Sequence, residues 1–300
     1  AYLKLAEGCN RTCAFCVIPQ LRGKQRSRTP EDVLAEARHL AEAGVLELNL
    51  VSQDTVSYGR DLSARPTLAP LVQAIADLPG LRWVRLHYLY PERFDDALLD
   101  LLAQHPKVLP YVDMPLQHAA DAMLQRMRRG HGGDKLRAAV EQLRSRVPGL
   151  VLRTAFIVGH PGETAEEFEE LCEFVRWGQF DHVGVFRYSD ESDTRSFELE
   201  GKVPARTANA RVRKLMALQQ RISKRKNEAL LGQELDILVE GPSEESDVVM
   251  MGRYWGQAPG IDGSVYLSGE EVQPGTLVRA RITQATDYDL AADVLPSDGA

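Results

Sequence analysis

The stretch YLKLAEGCNRTCAFCVIP, residues 2–19, sets three of the chain's four cysteines inside eight residues, directly after the strand-like YLKLA. Cys9, Cys13 and Cys16 have the spacing C-x3-C-x2-C. Three readings stand. A structural zinc site closes a tetrahedron with four ligands, yet the nearest histidine, His39, falls inside a helix-like segment. Inert cysteines are also an option, although a loop is a poor place for buried thiols. A 4Fe-4S cluster uses three thiolates on three irons and leaves the fourth iron open.

Outward from this loop, strand-like and helix-like segments alternate. Strands are expected at 2–6, 45–51, 82–88, 110–114, 151–158 and 182–187. Between them, Thr29-Pro30-Glu31-Asp32 has the form of a capped helix start, and the pattern runs to Ala43, where Gly44 ends it. Further helical stretches are expected near 66–78, 92–104, 120–146, 164–178 and 205–231. Six βα units in a row predict an α/β fold with a parallel sheet, either a partial TIM-like barrel or an open doubly wound sheet. After Gly232 the texture becomes short β-rich runs divided by Gly, Pro, Ser and Asp, which predicts a small antiparallel barrel. The expected domains are therefore 1–232 and 233–300.

Charge separates the same two parts. The net charge is −7, but residues 233–300 hold 13 acidic and 3 basic residues, a balance of −10, against +3 for residues 1–232. No apolar run approaches the roughly 20 residues of a membrane helix. Four cysteines, three of them bunched, make no disulfide framework, so a reducing cytoplasm is expected. Cys172 has helical spacing with Phe168, Leu171 and Val175 and reads as a small core residue. The chain opens without Met and inside a strand, as expected of a piece whose N-terminal part has been cut away.

CNRTCAFC, with aromatic Phe15 before the last cysteine, resembles the radical S-adenosylmethionine (SAM) superfamily. The resemblance implies a partial (βα)6 barrel with the cluster on Cys9, Cys13 and Cys16 at the C-terminal mouth of the strands, and SAM chelated by the open iron. Within such a barrel, Ser52, Gln53 and Asp54 follow the second strand and are expected near SAM. Gln117 and His118 follow the fourth strand, at the rim. Arg153 holds the SAM carboxylate or pairs with a barrel carboxylate, and Gly159 and Gly162 let backbone approach the adenine. Asp54 and His118 are the catalytic candidates; Phe15, Ser52, Gln53, Gln117, Arg153 and Gly159 are the cofactor-binding ones. For each, the alternative is an ordinary turn or packed residue.

CVIP, SQDTVSYG, VDMPLQHAAD, MRRG, RTAFIVGHPGET and the C-terminal β-domain together are similar to the methylthiotransferases. The last part would be an OB-like TRAM domain. Two branches compete: enzymes that thiomethylate adenosine in tRNA, and the RimO type, which modifies an aspartate β-carbon in the twelfth protein of the small ribosomal subunit. SQDTVSYG, RLHYLYPE, VDMPLQHA and APGIDGSVYL resemble the RimO side. An RNA-gripping barrel should be basic, whereas an acidic one suits a basic ribosomal protein. Glu244, Glu245 and Asp247 belong to that acidic balance, and Tyr254 and Trp255 are either apolar anchors for the partner or core residues. The basic residues of 205–231 are an RNA contact or a solvated helix face. The resemblance further implies a monomer with a reductant protein as second partner. It also implies a second 4Fe-4S cluster, in an N-terminal domain not among these residues. A non-catalytic, zinc-containing binding protein is the alternative from another class.

Overall fold

The structure, a computed structural model, describes residues 1–91, 94–243 and 246–296, with the side chains of 246–248 also left aside. Glu244, Glu245 and the side chain of Asp247 therefore lie outside the described residues. The chain divides into two compact units, Ala1–Leu218 and Gln219–Ala300.

Six strands build the main sheet of the first unit, beside a short antiparallel pair at Ala6–Glu7 and Arg26–Ser27: β1 (Tyr2–Lys4), β2 (Glu47–Val51), β3 (Trp83–Leu86), β4 (Val108–Asp113), β5 (Val151–Val158) and β6 (His182–Arg187). They lie in sequential order and every neighbouring pair is parallel. That order decides between the two architectures left open above. A doubly wound sheet reverses its strand order at a switch point. Right-handed crossovers without reversal put every helix on one face and curl the sheet toward a barrel. The sheet ends at β1 and β6 without closing. Its leucine- and valine-rich strands bury Leu3, Leu48, Leu50, Val84, Leu86 and Val112, as expected where helices cover a parallel sheet.

The helices are α1 (Ile18–Arg22), α2 (Pro30–Glu42), α3 (Leu68–Ala76), α4 (Asp96–Gln104), α5 (Asp121–Arg126), α6 (Gly133–Arg146), α7 (Ala165–Gly178) and α8 (Ala205–Glu228). Thr29 caps α2 by accepting from the Asp32 N–H, and Thr164 with Glu167 forms a reciprocal capping box on α7. Cys172 is fully buried in α7. The single helical stretch expected over 120–146 is two helices. The chain breaks at Met127–Gly132, where Arg128 takes φ +55° and Gly130 φ +79°. The third strand ends at Leu86, not at Tyr88, because Tyr88 has φ +55° and leaves the extended region.

In the second unit β7 (Glu234–Ser243), β8 (Ser246–Tyr254), β9 (Val265–Ser268), β10 (Leu277–Ala285) and β11 (Leu290–Val294) close into a barrel in the order β8-β9-β11-β10-β7. The expectation of a wholly antiparallel barrel needs correction: β9 and β11 pair in parallel. Ile237, Val239, Val265, Ile282 and Leu290 fill the interior. Tyr254 belongs to that core, so its ring is spent on packing, and Trp255 lies half-buried against it. Among the described residues, no helix is long and apolar enough to cross a membrane.

Candidate active site

The cysteine loop is tied down on three sides. Gly8 has φ +82°, and a Cβ there would stand 2.4 Å from the Lys24 carbonyl oxygen, so only glycine fits. This close approach lets the Cys9 N–H donate to Gly23 O at 3.1 Å. On the second side the Ala14 N–H donates to Met127 O at 2.9 Å, in the break between α5 and α6. On the third, Arg11 Nε donates to Asp54 Oδ2 at 2.6 Å, and Asp54 Oδ2 also accepts from the Ser57 hydroxyl at 2.8 Å.

Tyr90 organises two cations beside the loop. The Arg11 guanidinium lies 3.5 Å from its ring centroid and that of Arg129 4.3 Å. Its hydroxyl donates to Arg129 O at 2.5 Å. Arg129 is almost fully buried and donates from Nη2 to Pro115 O at 2.8 Å and from Nη1 to Cys13 Sγ at 3.3 Å. Burial pushes the Cys9 and Cys16 thiols up from their ordinary range, opposed in part by hydrogen bonds from the Arg11 and Ile18 backbone.

All three cysteines are free thiols and line one cavity of about 770 Å³. Its wall is made by residues that follow strand ends: Ser52 and Gln53 after β2, Tyr88 to Tyr90 after β3, Pro115 and Gln117 after β4. This is the C-terminal mouth of the sheet, where barrel folds place their chemistry. Tyr88 and Gln117 are both non-glycine residues at positive φ, 55° and 73°, and strain of this kind gathers at functional sites.

The sequence candidates divide into two groups. Cys9, Cys13, Cys16, Phe15, Ser52, Gln53 and Gln117 share the cavity wall; Asp54, His118, Arg153 and Gly159 do not. Asp54 sits behind the loop as the partner of Arg11, only 3% exposed. His118 is fully buried: its Nδ1 accepts from the Ala120 N–H at 3.1 Å, which leaves Nε2 to donate to Glu163 Oε1 at 3.2 Å. Glu163 also accepts from Arg211 at 2.6 Å. Burial alone would raise the Glu163 carboxyl, but His118, the Gly159 N–H and Arg211 hold it below the usual range. A Cβ on Gly159 would lie 2.5 Å from that of Ala208, so this glycine gives α8 its close approach. Neither catalytic candidate lines the cavity, and each is held by another charged side chain, Asp54 by Arg11 and His118 by Glu163.

Arg11, Tyr90, Arg129 and Lys4 also line the cavity, and no spacing or periodicity in the sequence marks them for it. Arg11 lies between two cysteines, where spacing says nothing of its partner. Arg129 lies where helical periodicity runs straight through.

The donor set fits a 4Fe-4S cluster. Cys9, Cys13 and Cys16 are free thiols on one cavity wall, and thiolates are the ligands by which such clusters are held.

Residues 3–175 match the Radical SAM superfamily and residues 231–295 the TRAM domain. The ribosomal protein uS12 methylthiotransferase RimO of Sorangium cellulosum is 66% identical over 99% of this chain, and the chain covers 62% of that protein. The protein of the same name from Myxococcus xanthus is 49% identical over 98% of the chain, which again spans 62% of it. The chain therefore spans less than two thirds of the length of these curated relatives. Among solved structures, the radical SAM methyltransferase TsrM from Kitasatospora setae superposes with TM-score 0.51 at 20% identity, over 62% of this chain and 36% of that one. Coproporphyrinogen III oxidase HemN from Escherichia coli does so with TM-score 0.51 at 13% identity, over 94% and 66%. These two likenesses concern the fold, and together with the matched residues and the cysteine-lined mouth of a sequential parallel sheet they lead to one conclusion: the chain belongs to the radical SAM superfamily.

Proposed function

We propose that the chain is the radical-generating and substrate-docking part of a methylthiotransferase that adds a methylthio group to the β-carbon of an aspartate in ribosomal protein uS12. The observation that carries this reading is the set of three free thiols facing one cavity at the mouth of the sheet. The name borne by its relatives supports the choice of substrate. Cys9, Cys13 and Cys16 would hold a 4Fe-4S cluster, which together with SAM would supply one-electron radical chemistry at this cavity.

The chain's own residues have separable tasks. Cys9, Cys13 and Cys16 hold the metal group. Phe15, Ser52, Gln53 and Gln117 shape the SAM side of the cavity. Arg11, Tyr90 and Arg129 fix the loop and keep water from the sulfurs, and Asp54 and His118 hold two walls from behind. Of the remaining sulfur chemistry, Cys172 is buried and alone, so the transferred sulfur and a second 4Fe-4S cluster belong to residues outside these 300. A separate protein reductant and a cytoplasmic, monomeric state complete the proposal, with the domain boundary near residue 232.

A tRNA adenosine substrate is the competing reading. The barrel argues against it, because each of its three arginines is already paired: Arg253 with Glu240, Arg279 with Asp236 and Arg281 with Glu234. None is left over for a phosphate.

Anaerobic reconstitution with iron and sulfide tests the proposal. Each of Cys9→Ala, Cys13→Ala and Cys16→Ala is expected to lose bound iron and SAM cleavage, and Cys172→Ala to keep both. Full iron content and cleavage in Cys13→Ala would overturn the assignment. Equal or tighter binding of tRNA than of uS12 at the same salt would transfer the reading to the tRNA branch.

A further inference from the structure

β1 is an edge strand that pairs only with β2. Its alternation sends Leu3, fully buried, to the helix side and turns Tyr2 and Lys4 toward the cavity wall. Lys4 thus sits on the side of the strand that faces the cavity.

Three cations line this cavity, and two of them are held on more than one side. Arg11 is locked to Asp54 and stacked on Tyr90. Arg129 is locked to Pro115 O and Cys13 and stacked on the same ring. Lys4 differs. Its side chain is 55% exposed, and Nζ donates to Glu7 Oε2 at 2.7 Å. Glu7 is also served by Gln53 Nε2 at 3.3 Å and Arg22 at 3.8 Å, so its charge does not depend on Lys4 alone. An ammonium has three donors on a flexible stem, and one is used here.

We propose that Lys4 Nζ binds the side-chain carboxylate of the substrate and so selects an acidic residue for modification. This rests on the function proposed above and adds the subsite that reads the target. A carboxylate that comes against the half-exposed rings of Tyr2, Tyr88 and Phe186 loses part of its water, and a nearby positive charge offsets that loss. A charge-assisted hydrogen bond at its oxygen supplies that charge and holds the adjacent β-carbon in a single position, which is what an abstraction step requires. Edge strands do carry lysines to discourage pairing, and a lysine near a glutamate also makes ordinary surface ion pairs. Both of these roles predict no discrimination between acidic and neutral targets, which is where a carboxylate subsite differs from them.

The cluster-loaded chain with SAM is titrated anaerobically with two fluorescent peptides of the uS12 target loop, one carrying the target aspartate and one asparagine in its place. The wild type is expected to bind the aspartate peptide at least about tenfold more tightly. Lys4→Met and Lys4→Gln are expected to bring the two affinities together, and Lys4→Arg to restore a preference. The ratio of two peptides on one preparation does not depend on the fraction of folded protein, and two neutral variants guard against the loss of one. A preference that survives in both neutral variants overturns the role of Lys4 and leaves the functional reading standing. A wild type without any preference overturns both.

Discussion

Arg129 shows how much one side chain can carry at this site. Its guanidinium joins the wall at Pro115, the sulfur of Cys13 and the ring of Tyr90, while its Nε, buried, has no hydrogen-bond partner. Arg129→Met is expected to lower stability by about 1–3 kcal/mol, because two acceptors and a ring face lose a cationic donor. Lys cannot serve the same three neighbours from one point charge, so Arg129→Lys should recover less than half of the loss in thermal melts of the metal-free protein. Asp54 gives a sharper test of positioning against direct contact. Asp54→Asn weakens the Arg11 latch, and a cost of about 1–3 kcal/mol is expected in the same melts. If the melt is unchanged while SAM cleavage disappears, Asp54 touches the cofactor and the positioning reading falls.

At the scale of elements, the break between α5 and α6 is the feature that helical periodicity conceals. The turn at Met127–Gly132 presents Met127 O to the cysteine loop and aims Arg129 at Cys13, neither of which a continuous helix allows. A second element, the turn after β5, carries a pH dependence. His160 is fully buried, its Nδ1 donating to Pro161 O at 3.1 Å and its Nε2 accepting from the Ser196 hydroxyl at 2.7 Å. Burial, opposed in part by the Pro161 carbonyl, pushes its pKa down to about 4. In the unfolded chain a histidine titrates near about 6.5, so between these two values the unfolded state binds a proton that the native state refuses. The contribution is intact above the unfolded value and is lost as pH falls toward the native one. Melting temperatures should therefore drop from pH 7 to pH 5, and His160→Gln should flatten the drop. An equal slope in the variant would assign the dependence to other groups, such as His131, whose burial and cationic neighbours also push it down to about 4.

On the scale of the whole molecule, charge distinguishes the two units more sharply than any motif does. The last 68 residues hold the balance of −10, and the barrel's arginines are consumed by internal pairs. Glu270 and Glu271 are exposed in the turn before β10. Reversing both to Lys should weaken association with a basic protein such as uS12 severalfold in calorimetry, and the wild-type affinity should fall as salt rises, since screening acts over roughly 8 Å at physiological ionic strength. Unchanged binding after the reversal would mean that docking does not use this surface.

Some of these features follow from local order along the chain. The cysteine spacing, the alternation of strands and helices, the capped helix starts and the change of texture after Gly232 are all short-range patterns, and β5 and β6 lie where their residue types put them. Other features depend on which distant segments meet. Asp54 faces Arg11 from 43 residues away, and Arg129 reaches Cys13 across 116. His118 faces Glu163 instead of the cavity, and Gly159 makes room for Ala208. No pattern of period 2 or 3.6 records such pairings. A side chain's periodicity states which face of its own element it occupies, and packing in three dimensions decides what stands opposite that face.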